Sequence, residues 1–547
     1  MANSHVEVDL SHHLSDTARN IRPNPLKAMY KYMDVPGLIA IAGGMPHPSL
    51  FPYDEISAVT LKPDTYPLDG SRLDNKSSLS WLWSLFKSSK SKTQLHIPKY
   101  ADSGSGADPI QLSTALQYSG VVGLPPFIEF VRNFTLKTFK PAYPDFQVLA
   151  NSGNTDGWTK AAAILCQPGE LILTEEWTYP GALLSPWPAG VRPFPVPIDG
   201  IGMVPEKLEA LLRDWKEDEH EGKRRPHVMY TIPVGQNPTG AVMDGQRKKD
   251  IYAICVKYDI IIVEDDPYYF LQFSDYRRKS ERSLRSFVPD VISAETSRQY
   301  LDTLAPSYLK FDYQKRVIRL DTFSKTIGPG CRLGWTTCNA QFAAIMVDYS
   351  ASTTNQTSGI SQALITQLVS KQWGYDSFIR WLRGLATQYT ARRDGMVDCF
   401  FECSSIGVIQ RNNSLHNGAP VYDAFARPTG SVYHSYDEKF PPSGKTLFSF
   451  TIPNSGMFIW VTVYLKHRRD WVPVPAPGSA LEFLLWSELA KGGVMVAPGY
   501  MFSTDESDVP TSTELASIHA RSEYAHMRLS FSSASGSVLS PRRQRWR

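Results

Sequence analysis

The chain has little of what would mark a secreted, membrane-embedded or nucleic-acid-binding protein. Its six cysteines (Cys166, Cys255, Cys331, Cys338, Cys399 and Cys403) have neither the paired spacing of a zinc site nor the density of a disulfide scaffold. MANSHVEVDLSHH at the start lacks a basic stretch followed by an apolar core, so no secretory signal is expected. No uninterrupted apolar run of about 18 residues occurs, which argues against a transmembrane helix. An excess of one charge is missing as well. With 57 basic and 54 acidic residues the net charge is +3, so neither nucleic acid nor a membrane surface is expected as a partner. Internal repeats are absent too. What is present is 547 residues that are 42% hydrophobic and 20% charged, an ordinary composition for a globular enzyme of roughly two to four domains. A reducing, cytoplasmic setting fits these absences.

Two stretches break the pattern. Residues 61 to 109, rich in Lys, Ser, Asp and Pro, read as an insertion or loop. The apolar WLWSLF inside it (Trp81 to Phe86) fits a short packed helix better than a partner-binding patch. Residues 404 to 447, with Asn, Gly, Ser and Pro throughout, read as a second irregular segment. Between them, LILTEEW (171–177), PHVMYTIP (226–233), IIIVEDD (260–266), RVIRLDTFSK (316–325) and CRLGWTTC (331–338) are strand candidates. Helical patterns such as RKKDIYAICVKYD (247–259) separate several of them. This alternation predicts an α/β domain with a mostly parallel sheet covered on both faces. In such sheets chemistry gathers where strands end.

Four segments carry reactive groups at strand or helix ends. In DTFSKTIGPGCRLGW, Lys325 follows the hydroxyls of Thr322 and Ser324 and precedes Arg332. That arrangement suits a Schiff-base lysine beside a phosphate, because hydroxyls and a guanidinium bind phosphate oxygens and a nearby cation favours the free amine. A surface lysine in a loop explains the segment equally well. IIIVEDDPYYF puts Glu264, Asp265, Asp266 and Tyr268 at a strand end, where a carboxylate can hold a protonated pyridine nitrogen. A metal is not expected there, since no histidine is close in sequence. YTIPVGQNPTG offers the amide of Asn237, although Asn-Pro-Thr-Gly alone is a plain turn. NSGNTDGWTKAAAILC places Asn154 and Thr155 at the start of a helical run, an anion site or simply a capped helix.

Together, and in this order, the segments resemble the fold-type-I pyridoxal 5′-phosphate (PLP) enzymes. Within them they resemble the class I aminotransferases of the fungal aromatic amino acid and kynurenine/2-aminoadipate group. IAGGMPHPSLFP, LQYSGVVGLPPF, TEEWTYPGAL and MRLSFSSAS extend the resemblance from about Pro25 to Ser535. It implies an α/β fold in which a large domain with a mostly parallel sheet is joined to a smaller α+β domain. The implied division is an N-terminal arm and part of the small domain (1–50), a linker with an atypical insertion (51–117), the PLP-binding domain (118–375) and the small C-terminal domain (376–547).

The resemblance also implies roles. Lys325 would carry PLP and move the proton. Asp265 would pair with the pyridine nitrogen, and Tyr268 and Asn237 would hold the phenolic oxygen while Tyr179 stacks on the ring. Asn154, Thr155, Thr322, Ser324 and Arg332 would bind the phosphate, with Tyr118 reaching the phosphate of the neighbouring subunit of a homodimer. Arg528 would clamp the substrate carboxylate, with Gly44, Asn237 and Lys27 on the substrate side. No metal is implied. The reaction implied is transfer of an amino group from an aromatic L-amino acid to a 2-oxo acid such as 2-oxoglutarate.

Two departures stand out. Lys27 in NPLKAM takes the place of an arginine in the family's arm, keeping charge but losing the planar fork, and Arg22 upstream is a substitute. The ending GSVLSPRRQRWR has no amphipathic repeat and fits a truncated or mis-spliced tail better than a nucleic-acid-binding one. Other readings remain: a PLP lyase or decarboxylase, which would need no 2-oxo acid acceptor, or a non-catalytic or regulatory PLP-binding protein. About forty residues precede IAGG, too few for a winged-helix module.

Overall fold

The structure, a computed structural model, describes residues 8–23, 35–37, 44–68, 92–101, 110–282, 290–411, 419–427, 445–467, 478–504 and 524–532. In chain order the strands begin with β1 (Glu55–Leu61) and β2 (Lys92–Pro98), which pair antiparallel. Next come β3 (Gln147–Asn151), β4 (Leu171–Glu175), β5 (Arg192–Val196), the two-residue β6 (Ile198–Asp199) and β7 (Gly202–Met203). β8 (Val228–Thr231), β9 (Ile261–Asp265), β10 (Val317–Thr322) and β11 (Gly334–Cys338) follow. Seven of these form one sheet in the order β3-β11-β10-β9-β8-β4-β5. From β10 to β5 every pair is parallel; β11 runs antiparallel to both its neighbours.

Helices cover both faces of this sheet, as parallel strands require. Pro125–Phe139 buries Phe127, Phe130, Val131 and Phe134 on one side, a helical-period stripe. Asn154–Leu165 buries Trp158, Ala161, Ile164 and Leu165 on the other. The central strands are therefore buried at every position, which is why LILTE, VMYT and IIVED read as continuous apolar runs interrupted only by functional or paired polar groups. The helix expected at 247–259 runs from Gly245 to Lys257, its start fixed by the Asp244 side chain accepting from Arg247 N at 2.8 Å.

The second sheet is antiparallel, in the order β12-β13-β14-β15-β17-β16. Its strands are β12 (Ile406–Arg411), β13 (Val421–Ala426), β14 (Thr446–Thr451), β15 (Phe458–Tyr464), β16 (Ala497–Pro498) and β17 (Tyr524–Ser530). One face of it packs on the long helix Tyr375–Glu402 through Met396, Val397, Phe450, Ile459, Val461 and Met527.

Three expectations change. The segment 404–447 contains two strands and borders a third, so its described parts are sheet rather than irregular chain; Val421 and Ala424 are buried there. The segment 61–109 likewise includes β2, whose alternation carries Leu95 and Ile97 into the core. Residues 331–333 do not join β11. The Gly-Pro-Gly turn forms a single 3-10 turn, Pro329–Cys331, and Arg332 takes a left-handed φ of +44° before the strand starts. Trp81–Phe86 and the tail GSVLSPRRQRWR lie outside the described residues. None of the six cysteines forms a disulfide, and no described helix is long and apolar enough to cross a membrane.

Candidate active site

β9 ends in three consecutive acids that a strand must send to alternate faces. Glu264 and Asp266 point to one face, where the fully buried Arg319 guanidinium meets Glu264 Oε1 at 3.2 Å, Asp266 Oδ2 at 3.0 Å and Asp321 Oδ1 at 2.9 Å. Lys248 lies 3.9 Å from Glu264 and donates to Pro306 O. This network neutralises the two flanking acids and leaves Asp265 alone on the opposite face.

Asp265 is gripped there by two donors. Asn154 Nδ2 donates to its Oδ1 at 2.6 Å and the Tyr230 hydroxyl donates to its Oδ2 at 2.5 Å. Tyr230 shares that face because it pairs with Val263, two residues before Asp265. Burial raises the carboxyl above its ordinary range, while the Tyr230 and Asn154 hydrogen bonds and the charges of Arg319 and Lys325 pull it back down. Sequence reasoning missed Tyr230 and Arg319. The readable signal for the second was an arginine and an aspartate two apart in RVIRLDT, set among the apolar Val317, Ile318 and Leu320.

Lys325 follows β10 in a turn anchored by buried Phe323. Its half-buried amine is held below the usual lysine range, first by burial and then by the cations Arg528 and Arg332, with Asp265 opposing. Nζ stands 5.9 Å from the centre of the buried Tyr268 ring. Three neighbouring strands align Thr322, Gly334 and Asn151, so the residues following Thr322 and Asn151 meet. Thr322 Oγ1 donates to Ser324 Oγ at 2.8 Å and accepts from Ser324 N at 3.0 Å. Arg332 Nη2 donates to Ser152 O at 2.8 Å. Gly153 makes this approach possible: at φ +97° a Cβ would stand 2.7 Å from Arg332 Nη2. It is also the N-cap of Asn154–Leu165 and provides no side-chain cap. A guanidinium, two hydroxyls and an uncapped helix N-terminus thus form an anion cradle. The Asn154 side chain is not part of it, its Nδ2 being spent on Asp265 and Leu320 O, which leaves the Asn154 backbone for the phosphate role expected of it; Thr155 is exposed at the same helix start.

The substrate side comes from the other sheet. β17 turns Met527 into the core and Arg528 the opposite way, where Nη1 donates to Asn237 Oδ1 at 2.7 Å. The guanidinium lies 4.1 Å from the Phe458 ring centre and 4.6 Å from that of Phe502. Phe458 also meets the Tyr268 ring edge-on at 5.8 Å, joining clamp and phenol. Arg528 Nε is buried with no partner among the described residues, as is Asn154 Oδ1. Neither aromatic residue was anticipated. Tyr179, 38% exposed, caps the helix Pro180–Leu184, and only a glycine at 181 leaves room for its ring, 2.6 Å from where a Cβ would be. Tyr118 is 58% exposed, and no described atom lies within 4 Å of a Cβ placed on Gly44; among the described residues neither is seen to contact the cluster, though Gln117 ties their two segments together through Pro46 O at 2.7 Å. Lys27 lies outside the described residues, and Arg22 is exposed.

The donor set fits pyridoxal phosphate: an anion cradle, a buried carboxylate for a ring nitrogen and an amine between them, with Arg528 Nε left unpartnered among the described residues. Comparison with known proteins agrees. Residues 110–415 match the family model described as aminotransferase class I and II. An L-tyrosine:2-oxoglutarate aminotransferase of Tapinella panuoides is 33% identical over 93% of this chain and 83% of its own length. An aromatic amino acid aminotransferase of Schizosaccharomyces pombe is 31% identical over 91% of both. Among solved structures, aminotransferase Aro8 from Candida albicans superposes with a TM-score of 0.77 at 28% identity, covering 98% of this chain and 96% of the other.

Proposed function

The chain belongs to the class I and II aminotransferases, and within that family we propose that it transfers the amino group of an aromatic L-amino acid to 2-oxoglutarate, with PLP carried on Lys325. The observation that carries the reading is one cluster: a depressed lysine amine, a doubly held buried aspartate and a half-buried arginine with an unpartnered Nε. The aromatic donor and the 2-oxoglutarate acceptor rest on the names of the relatives that match over most of the chain.

Bound PLP supplies an electron sink for the pair left when the α-proton of the amino acid is removed. The chain supplies the rest. Asp265, fixed by Asn154 and Tyr230, holds the ring nitrogen in its protonated state. Arg332, Thr322, Ser324 and the backbone at Asn154 and Thr155 hold the phosphate, and Tyr179 covers the ring. Arg528 takes the substrate carboxylate; Asn237 and Tyr268 then hold the phenolic oxygen. Lys325, whose amine burial and the cations Arg528 and Arg332 hold below the usual lysine range, would take the α-proton and return it. Phe458 and Phe502 wall the carboxylate clamp with apolar surface.

The same reading extends to a homodimer in which Tyr118 reaches the neighbouring subunit's phosphate and Gly44 and Lys27 line the substrate pocket. It also extends to a cytoplasmic setting and to a division into arm (1–50), linker (51–117), large domain (118–375) and small domain (376–547). The experiment is a panel of tyrosine, phenylalanine, tryptophan, kynurenine and 2-aminoadipate with 2-oxoglutarate, following glutamate. Tyrosine or phenylalanine should lead, and Lys325→Ala should lose the visible absorbance of the lysine-bound cofactor and nearly all turnover. Product formed without an acceptor would instead make the chain a lyase, and normal transamination by Lys325→Ala would sink the assignment.

A further inference from the structure

At the far end of the large sheet from Lys325, the N-terminal segment is stitched to the chain just before β9. Asp259 lies six positions before Asp265, about 20 Å away at the rise of an extended strand. Ser11–His13 forms a 3-10 turn that presents His12 and His13. Its position is fixed downstream: Ser15 N and Oγ bond Ile164 O at 2.8 Å and Ala163 O at 2.7 Å, and Leu10, Leu14 and Ala18 are in the core. Asp259 projects from a left-handed residue, φ +59°, between the helix Gly245–Lys257 and β9, a conformation aspartate tolerates. These elements line a cavity of about 390 Å³, with His227, Arg224 and Tyr258 completing its wall.

A ring nitrogen of His12, a ring nitrogen of His13 and an Asp259 carboxylate oxygen all lie within 4.8 Å of one another. His12 Nε2 is 2.6 Å from Asp259 Oδ2, and His13 Nε2 is 3.1 Å from Oδ1. Ligand atoms around a tetrahedral ion with bonds of about 2.0–2.1 Å are separated by roughly 3.3 Å. The 3.1 Å His13 contact is close to that spacing, and the 2.6 Å contact of the exposed His12 ring falls short of it by about 0.7 Å.

Behind His13 stands a relay of the kind that orients metal-binding imidazoles. His13 Nδ1 is 2.9 Å from His227 Nδ1, and His227 Nε2 is 3.3 Å from Glu170 Oε2. Arg316 meanwhile holds Asp259 Oδ1 at 2.6 Å, so that oxygen is shared between Arg316 and His13 while Oδ2 faces His12. If protons run outward along this relay to Glu170, His13 Nε2 presents a bare lone pair to a carboxylate oxygen, a contact that only an intervening cation makes favourable. The opposite tautomer, with Arg224 Nη2 donating to His227 Nε2 at 3.1 Å, gives a hydrogen-bonded anchor with no ion.

We propose that His12, His13 and Asp259 bind a divalent cation of the zinc class, with His227 and Glu170 as outer partners and a fourth position open to water. Two imidazoles and a carboxylate select borderline cations over magnesium or calcium. The ion would staple the N-terminal segment to the sheet. No metal was expected from the cysteine spacing or the acids of β9; these ligands lie some 246 positions apart, so no local motif shows them.

The test uses the PLP-loaded protein, stripped with chelator and titrated with Zn(II) by calorimetry and with Co(II) by visible absorbance. His12→Ala and His227→Gln are measured alongside it, with far-ultraviolet dichroism as the folding control. The expected result is one ion per chain, tetrahedral-type Co(II) bands, and a Zn(II)-dependent rise in the thermal midpoint. Binding should be at least about 10-fold weaker in His12→Ala and about 10- to 100-fold weaker in His227→Gln. No uptake by the parent protein, or equal uptake by parent and His12→Ala, overturns the proposal and leaves the hydrogen-bonded anchor.

Discussion

Replacing Tyr230 with phenylalanine probes whether Asp265 works as a held carboxylate. The substitution removes one hydroxyl and little else, because the ring contact with Trp158, 4.7 Å between centroids, is retained. What is lost is the donor on Asp265 Oδ2, while Asn154 keeps Oδ1. A hydrogen bond to a charged group contributes about 1.5–3 kcal/mol. At about 1.36 kcal/mol per decade, that corresponds to a fall of roughly 10- to 150-fold in kcat/KM if the whole interaction is felt in the transition state. The sign on pH follows from the same geometry. Tyr230 lowers the Asp265 carboxyl against the upward push of burial, so its removal raises that group further. The acid limb of the kcat/KM profile should therefore move to higher pH, and the cofactor absorbance should become pH-sensitive over the same range. Asn154→Ala acts on the same carboxylate, so the double variant should lose less than the product of the two single losses. A Tyr230→Phe protein within about twofold of the parent, with an unmoved acid limb, would refute the idea that this pair positions Asp265.

Three further perturbations follow from the same site and its surroundings. Arg528→Lys keeps the charge but loses the fork, and should raise KM for both amino and oxo acid by about 10-fold or more with a smaller effect on kcat; unchanged KM would put the carboxylate elsewhere. Gly153→Ala forces a side chain onto φ +97° and against Arg332 Nη2, so dialysis should strip PLP from this variant faster than from the parent, and equal retention counts against the cradle. Glu175, buried at the end of β4, sits at about 7 rather than the ordinary 4.5 because of desolvation, with only Oε1 bonded, by Thr231 and Ile232 N. A raised carboxyl contributes stability below its unfolded value and loses it as pH climbs through about 7. Urea melts should thus show Glu175→Gln gaining on the parent between about pH 4.5 and pH 7, by about 3 kcal/mol at most, and a pH-independent difference excludes the assignment.

The fate of the three acids at the end of β9 explains why some of the site was legible in the sequence and some was not. IIIVEDD announced a buried strand with an acidic end, and resemblance to the family picked the middle acid. Strand alternation alone then obliges Glu264 and Asp266 to face away from it, into a layer that helices cover and where unpaired carboxylates cost several kcal/mol each. A buried cation was therefore required, and Arg319, two residues before Asp321 in a parallel strand, is it. By contrast, β2 and the strands between 406 and 426 were hidden because lysine, serine and asparagine dominated the composition around short alternating stretches. Asn154 was hidden for a different reason. Its place at a helix start pointed to an anion, and the backbone there still serves one, but its side chain is turned by strand order. β3 lies three places from β9 in the sheet, and the chain leaving β3 passes over the ends of β11 and β10, bonding Leu320 O on the way to Asp265. No spacing within the sequence encodes that reach. It follows from inserting the antiparallel β11 between β3 and β10, which makes β11 part of the support of Asp265 although none of its residues touches that carboxylate.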